Sequence, residues 1–103
     1  MLGFSTVKVS GSSMSPTFMP GDWLIVKSIR KNTLPLKIDS VYLVSDPIRP
    51  GVKLLKRLKK QRVNNDVIEY WVEGDSLISE DSRKWGWLGR DQFLAKVVVK
   101  YSG

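Results

Sequence analysis

The apolar residues of this chain come in short runs, and that feature narrows the fold more than any other. LAKVVV and DWLIV are among the longest, far below the roughly 18 to 20 residues that a membrane-spanning helix needs. Turn formers separate the runs: Pro16, Pro20 and Gly21 before Trp23, Asp46-Pro47 after Val44, Pro50-Gly51 before Val52, and Asn64-Asn65-Asp66 before Val67. Proline disfavours helix in the residue before it, and Asn and Asp tolerate positive φ, so the chain reverses at these places. Strands are expected at Thr6–Val9, Trp23–Val26, Val41–Val44, Val52–Leu58, Val67–Val72 and Phe93–Tyr101, the fourth and fifth forming a hairpin. Residues 27–37 and 74–91 read as loops, and a single helical turn fits after Ser13. About six short strands without a convincing helical period predict an all-β barrel or sandwich.

At 103 residues the chain is long enough for one modest core, so residues 1–103 are expected to be a single domain. The composition, 42% hydrophobic and 26% charged, is that of a globular protein rather than a disordered one. There is no cysteine, hence no disulfide framework and no thiolate metal ligand. There is also no histidine, which excludes Ser-His-Asp and Cys-His catalysis and almost any transition-metal site. No cofactor or metal is expected, and a nucleophilic enzyme built from this chain must take its base from a lysine, a carboxylate or the amino terminus. The amino-terminal MLGFSTVKV lacks the basic start and continuous apolar region of a signal peptide. With no membrane span, the default expectation is a soluble protein of a reducing compartment, the cytoplasm.

Two places carry candidate chemistry. Residues 9–26, VSGSSMSPTFMPGDWLIV, leave an apolar strand, cross a Gly/Ser-rich corner and re-enter a strand, which holds Ser13 exposed on a rigid turn. Residues 53–62, KLLKRLKKQR, hold six basic residues in ten. For most of them a solvated basic hairpin is sufficient explanation. Lys56 differs: on a strand, Leu54, Lys56 and Leu58 share one face, so leucines flank its ammonium and desolvation lowers its pKa. A lysine neutral near pH 7 serves as a general base.

Taken together these segments resemble the type I signal peptidase superfamily, the serine/lysine peptidases. The nucleophile segment is matched by Gly11, Ser13, Met14, Pro16, Thr17, Gly21 and Asp22. An Asp followed by a short apolar strand is matched by Asp39 to Val44, and the Lys-Arg segment by Lys56-Arg57. The last segment is matched by Gly74, Asp75, Ser79, Asp81, Ser82, Arg83 and Gly86. Any one segment is weak evidence, but four in the right order across most of the chain are not.

The resemblance implies a small closed or partly open β-barrel of the signal peptidase/LexA catalytic-core type. It implies a serine endopeptidase with Ser13 as nucleophile, Lys56 as general base and Ser79 as the hydroxyl that orients the lysine. The oxyanion falls to the backbone N–H of Ser13, because Gly11 stands where some relatives carry a hydroxyl; Ser10 and Ser12 are nearby helpers. Arg57 and Asp75 match an ion pair that braces the site, and Asp81, Ser82 and Arg83 are expected to brace the loop. The implied partner is a precursor protein with an amino-terminal leader. With no amino-terminal anchor in the sequence and no room for a large extra β-domain, the chain is most like the small maturation proteases of nickel-type superoxide dismutase. Peripheral membrane contact is compatible with the sequence.

Three other readings compete. One is a signal peptidase I-like leader peptidase separated from its anchor. A second is a self-cleaving repressor of the LexA type, disfavoured because the single alanine, Ala95, precedes Lys96 rather than glycine. The third, from a different class, is a basic β-barrel that binds nucleic acid, suggested by the charge of +7. The basic run has no interleaved aromatic residues to stack bases, so no nucleic-acid partner is expected. Trp85 and Trp87 are expected to pack at the core or its rim.

Overall fold

A computed structural model describes residues 3–30 and 35–101. Six strands form one antiparallel sheet: β1 (Phe4–Lys8), β2 (Trp23–Ser28), β3 (Val41–Ser45), β4 (Lys53–Asn64), β5 (Val67–Glu73) and β6 (Phe93–Tyr101). The spatial order is β1-β2-β6-β3-β4-β5, so β6 inserts between the second and third strands, and β1 and β5 remain as edges. The sheet is therefore a partly open barrel, not a closed one.

Side chains alternate across the sheet and build two apolar clusters. Leu36, Tyr42, Val44, Leu58, Tyr70, Val72, Leu88 and Phe93 form the larger. There Phe93 meets Tyr42 and Tyr70 edge-on, with centroids 5.5 and 5.2 Å away. The odd-numbered neighbour Val41 joins Val9, Met14, Phe18, Leu24, Val26 and Ala95 in the second cluster, which lies under the serine corner. Burying Met14 and Phe18 in this second cluster fixes the corner to the sheet.

Three expectations need correction. The fourth strand does not end at Leu58 but continues to Asn64 through the basic run. Its second half is held by the backbone ladder to β5 and needs no apolar content of its own. A bulge between Leu58 and Lys60 bends the strand where it leaves β3, and Asn65 and Asp66 close the hairpin at φ 52° and 66°. The segment 74–91 is also not all loop: it contains a short helix α1 (Ser82–Trp85) and a 3₁₀ turn at Arg90–Gln92. Asp81 caps α1 by accepting from the Arg83 N–H, and Gly86 ends it at φ 83°. After Ser13, Phe18 N–H bonds Met14 O at 3.0 Å, one i to i+4 turn that does not extend into a helix. Of the segment read as a loop at 27–37, Lys27 and Ser28 belong to β2, and residues 31–34 lie outside the described part.

Candidate active site

Lys56 occupies a position in the core row. Leu54 and Leu58 flank it on its own strand, and Tyr42 stands opposite it on β3. Its residue exposure is 2%, and among the described residues it has no carboxylate within ion-pair distance. Its ammonium nitrogen instead donates to Ser79 Oγ at 2.8 Å. Burial pushes Lys56 below its ordinary 10.5; Asp81 opposes that shift and Arg83 adds to it.

Ser13 is half-buried on the corner between β1 and β2. Its carbonyl accepts from Ser76 N–H at 2.9 Å, which ties the corner to the loop that carries Ser79. Neither its hydroxyl nor its own N–H has a hydrogen-bond partner among the described residues. The lysine's bond goes to Ser79 rather than to Ser13. Gly74 explains how the three groups converge. A Cβ there would lie 2.2 Å from Ser79 Oγ and 2.6 Å from Ser13 O, distances no real side chain tolerates. Only glycine lets β5 end this close to both serines.

The surroundings of this trio are strongly braced. Arg57 grips Asp75 through two parallel bonds, Nε to Oδ1 at 2.9 Å and Nη2 to Oδ2 at 2.8 Å. Thr17 Oγ1 donates to the same carboxylate at 2.6 Å, and Arg57 Nη1 donates to Asp39 O at 2.6 Å. The pair thereby links β4, the serine corner and the turn before β3. Arg57 holds the Asp75 carboxyl below its ordinary range, and Asp75 raises Arg57 in return.

Asp81 organises the other half of the loop from a fully buried position. Its carboxylate accepts from Gly74 N–H at 2.8 Å, from Arg83 N–H at 3.0 Å, and from Arg83 Nε and Nη2 at 2.9 and 2.6 Å. Burial alone would raise this carboxyl, but Arg83, the two N–H groups and the Ser79 hydroxyl together hold it at about 2. Ser82 Oγ accepts from Val72 N–H at 2.9 Å and locks α1 to β5.

Ser10 and Ser13 line a cavity of about 90 Å³ beside the corner, with Val7, Val9, Leu43 and Leu54 among its walls. Gly11 and Ser12 stand exposed at its rim side of the corner. Gly11 has φ 75°, so a hydroxyl-bearing residue would be strained there.

The structure thus brings Ser13, Lys56 and Ser79 together, with Arg57, Asp75, Asp81 and Arg83 around them. Sequence reasoning missed Thr17 as a ligand of Asp75, and Gly74 as the point of close approach. Trp85 packs on the larger apolar cluster. Trp87 meets Trp71 at 5.2 Å, and Lys60 and Arg62 cover the pair at 4.8 Å from Trp71 and 4.3 Å from Trp87. Aromatic faces do therefore accompany the basic run, contributed by β5 and the loop rather than by β4, and its own cations cover them.

Among the described residues no three acidic side chains gather to hold a metal ion, and no helix is long and apolar enough to cross a membrane. Comparison with curated proteins gives no match. The sequence pattern of the family described as signal peptidase, peptidase S26, does match, over residues 1–60, a span that contains both Ser13 and Lys56. With that match covering more than half of the sequence, the chain belongs to the signal peptidase family, peptidase S26, and is a signal-peptidase-like serine protease.

Proposed function

We propose that the chain is an endopeptidase working through a Ser13/Lys56 dyad, and that it removes an amino-terminal leader from a precursor protein. The observation that carries this is a buried lysine that has no carboxylate partner among the described residues and is hydrogen-bonded to Ser79, on a loop whose Ser76 N–H is bonded to the carbonyl of Ser13. A structural lysine in that position would have an acid to neutralise it. A lysine kept neutral by burial has a lone pair to accept a proton.

In the proposed reaction, an extended substrate lies along the free edge of β1 with one small side chain in the cavity by Ser13. Neutral Lys56 takes the Ser13 hydroxyl proton as Oγ attacks the scissile carbonyl carbon. The Ser13 N–H, which has no partner among the described residues, donates to the oxyanion that forms. As the intermediate collapses, the C–N bond breaks and the Lys56 ammonium gives its proton to the leaving amine. Water then attacks the acyl-serine carbonyl, Lys56 again accepts the proton, and the serine is released with its hydroxyl restored. Ser79 holds Nζ between these steps. Bonds of this kind are often loose before substrate arrives, so a lysine resting on Ser79 is a reasonable starting state.

The leader-bearing precursor of nickel-type superoxide dismutase is the substrate put first. The test is incubation of that precursor with wild type, Ser13→Ala and Lys56→Ala, reading the new amino terminus by mass. Cleavage by wild type alone is expected; cleavage surviving in both variants would sink the dyad. Cleavage of unrelated leaders but not of this precursor would leave the dyad standing and remove the assigned substrate.

A further inference from the structure

The cavity beside Ser13 has a feature that peptide-bond chemistry does not require. Two of its lining residues are lysines, Lys8 at the end of β1 and Lys53 at the start of β4, and none is acidic. The other walls are largely apolar, with Val7, Val9, Leu43 and Leu54 among them. Both lysines are exposed, and among the described residues neither has an ion-pair partner. Lys8 rests against the Trp23 ring, its ammonium 5.8 Å from the centroid, a weak contact that leaves it available to an anion. Elsewhere the chain pairs many exposed cations, as in Lys59 with Asp39, Arg62 with Glu69, Lys84 with Glu80 and Lys100 with Asp22. Lys8 and Lys53 instead bring two cations without an acidic partner among the described residues to the lining of one small cavity.

The strands they come from belong to distant parts of the sheet, β1 at one edge and β4 beside the other. The fold nevertheless brings both to the lining of one cavity, together with Leu43 of β3 and the serine corner. A side chain entering that cavity meets both Lys8 and Lys53 in its lining, with Ser13 at the wall. A cationic side chain placed there meets two like charges in a partly apolar cleft. An acidic one meets two partners without competition from any lining carboxylate.

We propose that Lys8 and Lys53 select substrates carrying an aspartate or glutamate within a few residues of the scissile bond. This rests on Ser13 being the nucleophile, as set out above. Both lysines are specificity residues and take no part in the proton transfers.

The test uses a decapeptide library randomised except at one position at a time, which is fixed as Asp, Asn or Lys, with kcat/KM read by mass spectrometry. Wild type is expected to favour Asp over the isosteric Asn by about tenfold at one flanking position, the scale of two exposed to half-buried ion pairs. The ratio should fall toward one in about 0.5 M salt, where such pairs are screened. Lys8→Gln and Lys53→Gln should each lower the Asp:Asn ratio, and the double variant Lys8→Glu/Lys53→Glu should favour Lys over Asp at that position. Because each ratio is internal to one variant, a general loss of activity does not imitate the effect. If no position favours Asp while cleavage still requires Ser13, the selectivity is wrong and the peptidase assignment survives. If cleavage is absent, or is unchanged in Ser13→Ala, the peptidase assignment itself fails and this proposal with it.

Discussion

Asp81→Asn removes one negative charge from the buried centre of the loop that carries Ser79 and leaves the shape nearly unchanged. A carboxyl held at about 2 against an ordinary 3.8 stabilises the fold by about 2.5 kcal/mol at neutral pH, at about 1.36 kcal/mol for each pH unit between the two values. Because the folded-state value is the lower one, this stabilisation is complete well above 3.8. It is lost as the pH falls through about 2, when the carboxylate protonates in the folded protein too. Wild type should therefore exceed Asp81→Asn by about 2.5 kcal/mol near pH 6, a large share of the roughly 5 to 15 kcal/mol typical of a domain. The gap should close toward zero as the pH approaches about 2. Urea unfolding of both proteins across that range measures it directly, since a change in midpoint at constant slope reports stability alone. A gap of constant size from pH 6 to 2 would refute the reasoning, because it would mean that the carboxylate charge is not what holds the loop.

Gly74→Ala should cost at least about a hundredfold in kcat/KM, because the new methyl displaces Ser79 and the Ser13 corner by a fraction of an ångström or more. Retained activity would show that these groups do not need their present spacing. Arg57→Lys cannot reproduce the two-pronged grip on Asp75 and should lower the melting temperature by several degrees, the equivalent of about 1 kcal/mol. An unchanged melting temperature would reduce the Arg57–Asp75–Thr17 link to a surface contact. Lys56→Met should stabilise the fold at neutral pH by about 1 to 3 kcal/mol, since it replaces a desolvated amine with an apolar side chain of similar length. That gain should shrink as the pH rises toward 10.5, where the unfolded lysine also becomes neutral. Destabilisation at neutral pH would mean that Lys56 is held there as a favourable charge.

The strand core of this fold is legible in the sequence because each run alternates or is wholly apolar between turn residues. The pattern Leu54-Lys56-Leu58 alone is enough to single out Lys56, and the structure buries it on that face. Where local content and tertiary pairing diverge, legibility ends. Residues 59–64 look like a solvated loop or turn approach, yet the ladder to β5 holds them extended. The short helix at Ser82–Trp85 has a usable signal, an Asp cap ahead and a glycine behind, but four residues carry no hydrophobic period to reveal it. The Thr17–Asp75 bond joins residues 58 positions apart and leaves no local trace. Gly74 is picked out only by the resemblance and its physical reason is not legible, because the crowding that demands a glycine comes from Ser13 and Ser79 across the fold. The meeting of Lys8 and Lys53 at one cavity is invisible for the same reason: they are far apart in sequence and only the folded sheet brings both to its lining.

The central proposal is that Lys56, its pKa lowered by burial, is the base that activates Ser13. It is tested most directly by the pH dependence of kcat/KM for cleavage of a leader-bearing precursor, measured alongside Ser13→Ala and Lys56→Met. The prediction is a single rise with pH whose midpoint lies below the 10.5 of an ordinary lysine, with no activity in either variant although both stay folded. A rate already at its plateau in acid, or activity persisting in Lys56→Met, would contradict it.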